Sequence, residues 1–252
     1  MRDRKVKKHF CRWIEEALSS ISNTIRHLPG GNSIMEWMDP LNISRRTLRD
    51  IIGRRAHLAR GYLLDVGSGG QPYRELLKDV DRYFALDISP NRDVTVYGSA
   101  MALPFREGSF DTVLSNQVLE HVPEPYLLMK EAARVLKGGG ILILTTPQTW
   151  GLHLEPEDYF RFTRYGLRYL AEKAGLDVIE IAPTCGIWAT LSQRLSDTVI
   201  FQFARGYSRW KIRLLSLMMA PVSFLGYSLD RAFSRKGDTL DNILVARKLN
   251  NG

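Results

Sequence analysis

The sequence predicts an α/β protein whose parallel sheet is covered by helices. Two observations lead there: through the middle of the chain, short β-branched or aliphatic runs alternate with helical stretches, and the first of these runs ends in a cluster of glycines. With 252 residues, 44% of them apolar and 25% charged, the chain has ample material for a hydrophobic core.

Strands are expected at residues 62–66, 83–88, 94–97, 111–115, 141–145, 177–181 and 243–247. A helix is expected over 125–136, where Leu128, Ala132, Val135 and Leu136 form one stripe and Gly138, Gly139 and Gly140 stop it. Another starts at Thr163 as N-cap, runs through Leu167, Leu170 and Ala174, and stops at Gly175. Two pieces stand outside the alternation. Phe10, Trp13, Ile14, Ala17, Leu18, Ile21 and Ile25 make the stripe of an amphipathic helix, broken by Pro29, Gly30 and Gly31. Between Cys185 and Thr239 lie about 50 residues, far more than an ordinary connection, so two or three helices are expected there. The expected organisation is a basic helical extension or lid at 1–58, a core at 59–184 and 240–252, and an apolar, basic helical insertion at 185–239 serving acceptor or membrane contact.

Charge is unevenly placed on a chain of net +8. Residues 1–60 hold 13 Lys/Arg against 6 Asp/Glu, residues 61–182 hold 12 against 17, and residues 183–252 hold 10 against 4. The middle is therefore acidic and both flanks are basic. The two cysteines, Cys11 and Cys185, form no CxxC pair, which excludes a disulfide scaffold or cysteine zinc site and favours a reducing compartment. The basic start is interrupted by Glu15 and Glu16, so no secretory signal is expected and the cytoplasm is the expected location. The longest charge-free apolar run, 214–229, contains Pro221 and Gly226 and has 16 residues. That is short of the roughly 20 needed to span a bilayer, so a contact with the membrane's inner face is expected rather than a crossing.

The first strand leads into Asp65, Val66, Gly67, Ser68, Gly69, Gly70, Gln71 and Pro72. Closely spaced glycines after a strand let the backbone turn and approach a ligand, and a nucleotide-like ligand is the natural guest. A GxGxxG fingerprint fits poorly because Pro72 stands where the last glycine belongs, and no Walker A loop is present. Asp87, at the end of the second strand and 20 residues after Gly67, is placed to accept from ribose hydroxyls.

Further segments follow in order: GSAMALPF from Gly98, GSFDTV from Gly108, NQVLEHV from Asn116, and EAARVLKGGG from Glu131. Together with LLDVGSGG and ALDIS, this string resembles the class I S-adenosylmethionine-dependent methyltransferases, specifically the type 11 methyltransferase domain family, over about residues 60–182 and the last strand. The resemblance implies a doubly wound, seven-stranded Rossmann-like sheet with the last strand antiparallel, and S-adenosylmethionine as cofactor. It implies that Asp65, Gly67 and Gly69 lie against the methionine portion, that Asp87 holds the ribose, that Ser99, Ala100 and Met101 border the adenine, and that Asn116 closes the pocket near the sulfonium. An acidic middle segment suits a cationic donor. Two positions depart from the family pattern: Ser99 replaces an aspartate, which implies a weaker grip on adenine, and Gln71 replaces the third glycine.

Methyl transfer is an in-line displacement, and a hydroxyl acceptor must also lose its proton. His153, in the loop after the fifth strand, and His121, in the Glu120–His121 pair, are the candidate acid/base groups. Each also has a structural reading, as a loop histidine bonded to backbone or as a packing or capping group. Asp158, Tyr159 and Arg161 are expected either to shape the acceptor pocket or to tie their loop down. Quinone-pathway and small-RNA methyltransferases with a similar ExxEH pattern use it for a divalent metal; here Gln117 replaces the first acid, and no metal is expected.

The flanks indicate the acceptor. Basic residues beside apolar, aromatic mass suit an anionic membrane surface and an amphiphilic acceptor: a lipid-linked sugar, a membrane-associated glycan or an isoprenoid. A lid or dimer interface built from the same pieces is the alternative. RNA methylation is disfavoured, because no RRM, KH or zinc pattern appears. A non-catalytic cofactor-binding subunit, motivated by Ser99 and Gln71, is the remaining alternative.

Overall fold

The structure, a computed structural model, describes Asp39 and residues 42–89, 94–203, 209–233 and 237–250. The helix expected over residues 10–25 lies outside them. Two compact units are formed.

The first unit, Thr47–Gly186 with Lys236–Gly252, holds a seven-stranded sheet. Its strands are β1 (Gly61–Val66), β2 (Val80–Asp87), β3 (Val96–Tyr97), β4 (Phe110–Asn116), β5 (Leu136–Pro147), β6 (Leu176–Pro183) and β7 (Asp241–Lys248). The order is β3-β2-β1-β4-β5-β7-β6, with β7 antiparallel to both neighbours and β1 through β5 parallel. All seven expected strands form. The antiparallel last strand that the family resemblance implies is present.

Alternation within the strands builds two cores. Leu64, Val113, Leu142 and Leu244 face one side, covered by α2 (Pro125–Val135) through Leu128 and Met129 and by α3 (Arg164–Lys173) through Leu167 and Ala171. Their neighbours Leu63, Leu114, Ile143 and Val245 face the other side, covered by Leu48, Ile51 and Ile52 of α1 (Asn42–Gly53). Period-2 strands buried on both faces read as near-continuous apolar runs, which is why the sequence shows them plainly. Thr163 caps α3, its hydroxyl accepting from the Gly166 amide at 3.3 Å.

One boundary differs from expectation. Extended pairing of β5 begins at Leu136, opposite Phe110, and Gly138–Gly140 lie inside the strand as a register shift before Ile141 pairs with Thr112. Gly139 is left-handed (φ +76°) and a side chain at Gly138 would meet Asn250, so the glycines make a bulge in the strand.

The second unit includes α4 (Ile187–Phe203) and α5 (Arg209–Phe233), packed on one another as a hairpin. Pro221 and Gly226 do not interrupt α5, and residues 211–233 form one helical stretch of 23 residues with an 18-residue window of mean hydropathy 1.4, long and apolar enough by length and composition to cross a membrane.

Candidate active site

The sheet order reverses between β1 and β4, so the loops leaving these two strands diverge and open a crevice at the C-terminal strand edge. The loop after β1 is shaped by its glycines. Gly67 is left-handed (φ +70°), its amide donates to Leu86 O at 2.8 Å, and a Cβ built there would lie 2.3 Å from Val118 Cγ2. Gly69 is also left-handed, with open space beside it. Gln71 holds φ +53°, so this position keeps the backbone conformation usual for glycine despite its side chain, which accepts from Arg74.

Asp87 ends β2, where its Oδ2 accepts from the Gly69 amide at 3.0 Å and its Oδ1 from the Ser89 amide at 2.9 Å. A carboxylate has about four acceptor positions, so lone pairs remain for two hydroxyls of a ribose. The glycine loop, the space beside Gly69 and this anchored acid fit the nucleoside and methionine portions of S-adenosylmethionine. Ser99 Oγ accepts from the Met101 amide at 3.2 Å, which orders the turn carrying Ala100 and Met101. Asn116, at the end of β4, accepts from the Thr145 hydroxyl of β5 at 2.7 Å.

Asp65 is buried in β1 and accepts from the Tyr83 hydroxyl. Burial pushes its carboxyl up to about 7, with Asp87 adding to the rise and the Tyr83 bond opposing it. A raised folded-state value means that the folded chain holds this proton more tightly than the unfolded chain. The contribution of Asp65 to stability is therefore full below about pH 4 and is lost as pH rises to about 7. Denaturant unfolding should show the wild type losing more stability between about pH 5 and about pH 8 than Asp65→Asn. Equal losses would refute this assignment.

The other half of the edge is built by β4, β5 and β7. A 3-10 turn, Leu119–His121, follows β4 and fully buries Glu120. Thr146 of β5 donates to Glu120 Oε2 at 3.1 Å, and Oε1 has no hydrogen-bond donor among the described residues. Burial pushes Glu120 up to about 8, with Asp241 of β7 raising it and Arg161 lowering it. Asp241 is itself pushed up to about 7 by burial, against Gln117 and Arg161.

His121 Nε2 lies 3.8 Å from Glu120 Oε1, its Nδ1 lies 2.6 Å from Glu157 O, and its ring meets that of His153 edge-on at 4.7 Å. His153 Nδ1 is 3.1 Å from Gly151 O, a contact that assigns the proton to Nδ1 and leaves Nε2 as acceptor. Burial lowers the His153 pKa, with the Gly151 bond and Asp158 opposing, which favours the neutral ring. Glu120, His121 and His153 each present one ligand atom, all within 4.8 Å of one another, and could hold a metal ion.

Asp158 and Arg161 form a bidentate pair, 2.7 and 2.8 Å, that holds the Asp158 carboxyl far below the usual range. Arg161 also donates to Trp150 O and Gly151 O, and Asp158 accepts the His153 amide at 2.9 Å. Their polar groups thus tie the 150–161 loop, while Tyr159 remains exposed beside it. Farther along the edge, a cavity of ≈ 580 Å³ is lined in part by Gln148, Thr163, Arg164, Glu180, Asp238 and Asn242.

The sequence reading missed Thr146, Asp241 and Asn242 as partners of this region. They lie just beyond the expected strands at 141–145 and 243–247, and only Asp241 carried a signal, an acid at the start of an apolar run.

Residues 64–144 match the family model described as a methyltransferase domain. An uncharacterized methyltransferase of Mycobacterium leprae is 36% identical over 96 residues, 33% of this chain and 36% of that protein. A ubiquinone biosynthesis O-methyltransferase of Xanthomonas oryzae pv. oryzae is 32% identical over 123 residues, 42% of this chain and 52% of that protein. The chain thus spans about a third to a half of the length of these curated relatives. Among solved structures, a methyltransferase of Thermotoga maritima described as a possible histamine N-methyltransferase superposes with a TM-score of 0.54 at 18% identity, over 87% of this chain and 96% of that one. That likeness establishes the fold. With the glycine loop, the Asp87 anchor and the antiparallel β7 on one sheet, residues 64–144 match the methyltransferase domain family within a sheet of class I S-adenosylmethionine-dependent methyltransferase topology.

Proposed function

We propose that the chain transfers a methyl group from S-adenosylmethionine to an amphiphilic small molecule bearing a hydroxyl. The observation that carries the cofactor part is the Asp87 carboxylate fixed by the Gly69 and Ser89 amides at the sheet's reversal point. When bound, S-adenosylmethionine supplies an electrophilic methyl group on a sulfonium. Asp87 holds the ribose hydroxyls, the Gly67–Gly69 loop admits the methionine portion, Ser99 to Met101 border the adenine, and Asn116 lies toward the sulfonium. Asp65 and Glu120, acids held partly neutral by burial, gain when a cation lies nearby.

On the acceptor side, neutral His153 takes the hydroxyl proton on Nε2, and the Asp158–Arg161 pair keeps its loop in place. The O-methyltransferase relative and the basic, apolar insertion support a hydroxyl on an amphiphilic molecule, with the Gln148–Asn242 cavity to receive it. A second reading is favoured by the Glu120–His121–His153 cluster, in which a divalent cation would lower the acceptor hydroxyl's pKa in place of a base.

The first test is calorimetric titration with S-adenosylmethionine. Asp87→Ala should weaken binding by about 1–3 kcal/mol, roughly 5- to 150-fold, because a charged acceptor is lost. Unchanged affinity would show Asp87 to be misassigned, and a wild-type chain that binds no S-adenosylmethionine at millimolar concentration would sink the enzyme reading.

A further inference from the structure

In the α4/α5 hairpin the usual distribution of polarity is inverted. The seam carries Ser192 and Ser196 from α4 and Ser223, Gly226 and Asp230 from α5, with Gln193 and Asp197 of α4 buried as well. Across the seam the Ser196 and Ser223 hydroxyls are 3.1 Å apart and Asp230 accepts from the Ala189 amide at 3.5 Å, while Gln193 donates within α4 to Asp197 at 2.9 Å and accepts from the Ile43 amide at 3.2 Å. Gly226 permits the close approach, since a Cβ there would overlap the Ser192 side chain. The outward positions are Leu191 (54% exposed), Leu195 (51%) and Phe201 (65%) on α4, with Leu217 (38%), Phe224 (56%) and Leu225 (59%) on α5.

Water selects the opposite arrangement, because each large apolar side chain gains by leaving it and a surface hairpin turns its apolar stripe inward. In lipid there is no hydrophobic drive between helices. Small residues then permit close packing, hydroxyls and amides bond across the seam, and aliphatic side chains face outward. The α4/α5 hairpin has that second distribution.

We infer that the hairpin is embedded in a lipid bilayer, with its aliphatic outer face in the acyl chains and its basic ends at anionic headgroups. Length and charge choose this occupant. Residues 211–233 extend about 35 Å at 1.5 Å per residue, against a hydrocarbon core of about 30 Å. Arg209, Lys211 and Arg213 mark one end of α5 in the sequence, and Arg231, Arg235 and Lys236 mark the other, where lipid phosphates would meet them. Trp188 stands in the first turn of α4, at one end of the hairpin, as interfacial aromatics do. The inference rests on the hairpin alone and stands independently of the methyl-transfer reading.

The test is flotation of the full chain with vesicles of phosphatidylglycerol and phosphatidylethanolamine. The expected result is co-flotation that survives both high salt and alkaline carbonate, with Trp188 fluorescence quenched by brominated acyl chains relative to Trp188→Phe. Leu191→Glu combined with Phe224→Glu should lower recovery with vesicles at least about tenfold, since acidic side chains are strongly disfavoured in hydrocarbon. Unchanged S-adenosylmethionine affinity and circular dichroism would exclude misfolding as the cause. Wild-type chain left in the aqueous fraction would overturn the inference, as would release by salt alone or full flotation of the double variant. A detergent-free dimer that the double variant converts to monomer would assign the face to a second copy instead and overturn it equally.

Discussion

Gly67→Ala is expected to destabilise the fold by about 2–4 kcal/mol, the sum of left-handed backbone strain and overpacking. The backbone there has φ +70°, and the added methyl would lie 2.3 Å from Val118 Cγ2. Thermal unfolding should show the midpoint falling by roughly 5–15 °C. Relaxation by tilting the loop would disturb the Gly67 and Ser68 amides that both bond Leu86 O, and with them the seat of the cofactor. S-adenosylmethionine affinity should therefore fall as well. Gly69→Ala provides the contrast: its backbone is also left-handed, but nothing lies within 4 Å of the new methyl, so only the strain remains. Removing the obstruction with Val118→Ala should recover part of the Gly67→Ala loss in a double-mutant cycle. An unchanged midpoint for Gly67→Ala would mean that the β1 loop does not hold this conformation.

The largest effect on turnover is expected at His153. Replacing it by alanine should slow methyl transfer to a hydroxyl acceptor by about 10²- to 10⁴-fold, the usual contribution of a positioned base, with cofactor affinity unchanged. Steady-state turnover and calorimetry measure the two quantities separately. The same experiment divides the two readings of the Glu120–His121–His153 cluster. With a base, a chelator leaves wild-type turnover intact. With a cation, chelation costs as much as the substitution and added Mn²⁺ or Mg²⁺ restores it. If His153→Ala turns over at the wild-type rate, neither role belongs to this residue.

Much of the fold was legible because its signals are local. β1, β2, β4 and β5 are apolar runs bounded by turns, and α2 and α3 carry one-sided stripes with a glycine or threonine at an end. The β5 start was misread for a physical reason: three glycines favour a turn in isolation, but pairing with Phe110 and the close approach of Asn250 hold them as a bulge within the strand. The proposed cofactor half of the site was equally local, since Gly67, Gly69 and Asp87 lie on two successive strand ends. The acceptor half was only partly so. His153 and Glu120 stood out as residue types, whereas the Thr146 bond to Glu120 and the electrostatic coupling of Asp241 to it arise from strands adjacent only in space.

The sequence by itself determined the alternating sheet, the glycine-and-aspartate edge proposed to hold the cofactor, and the charge division into an acidic middle with basic flanks, because each depends on residues near one another in the chain. Tertiary structure alone decided that Glu120, His121 and His153 converge, and that the polar stripes of α4 and α5 face each other while their aliphatic stripes face out. A helical period reveals that a stripe exists. Which stripe is covered depends on what packs against it, and that is settled only when the second helix is in place.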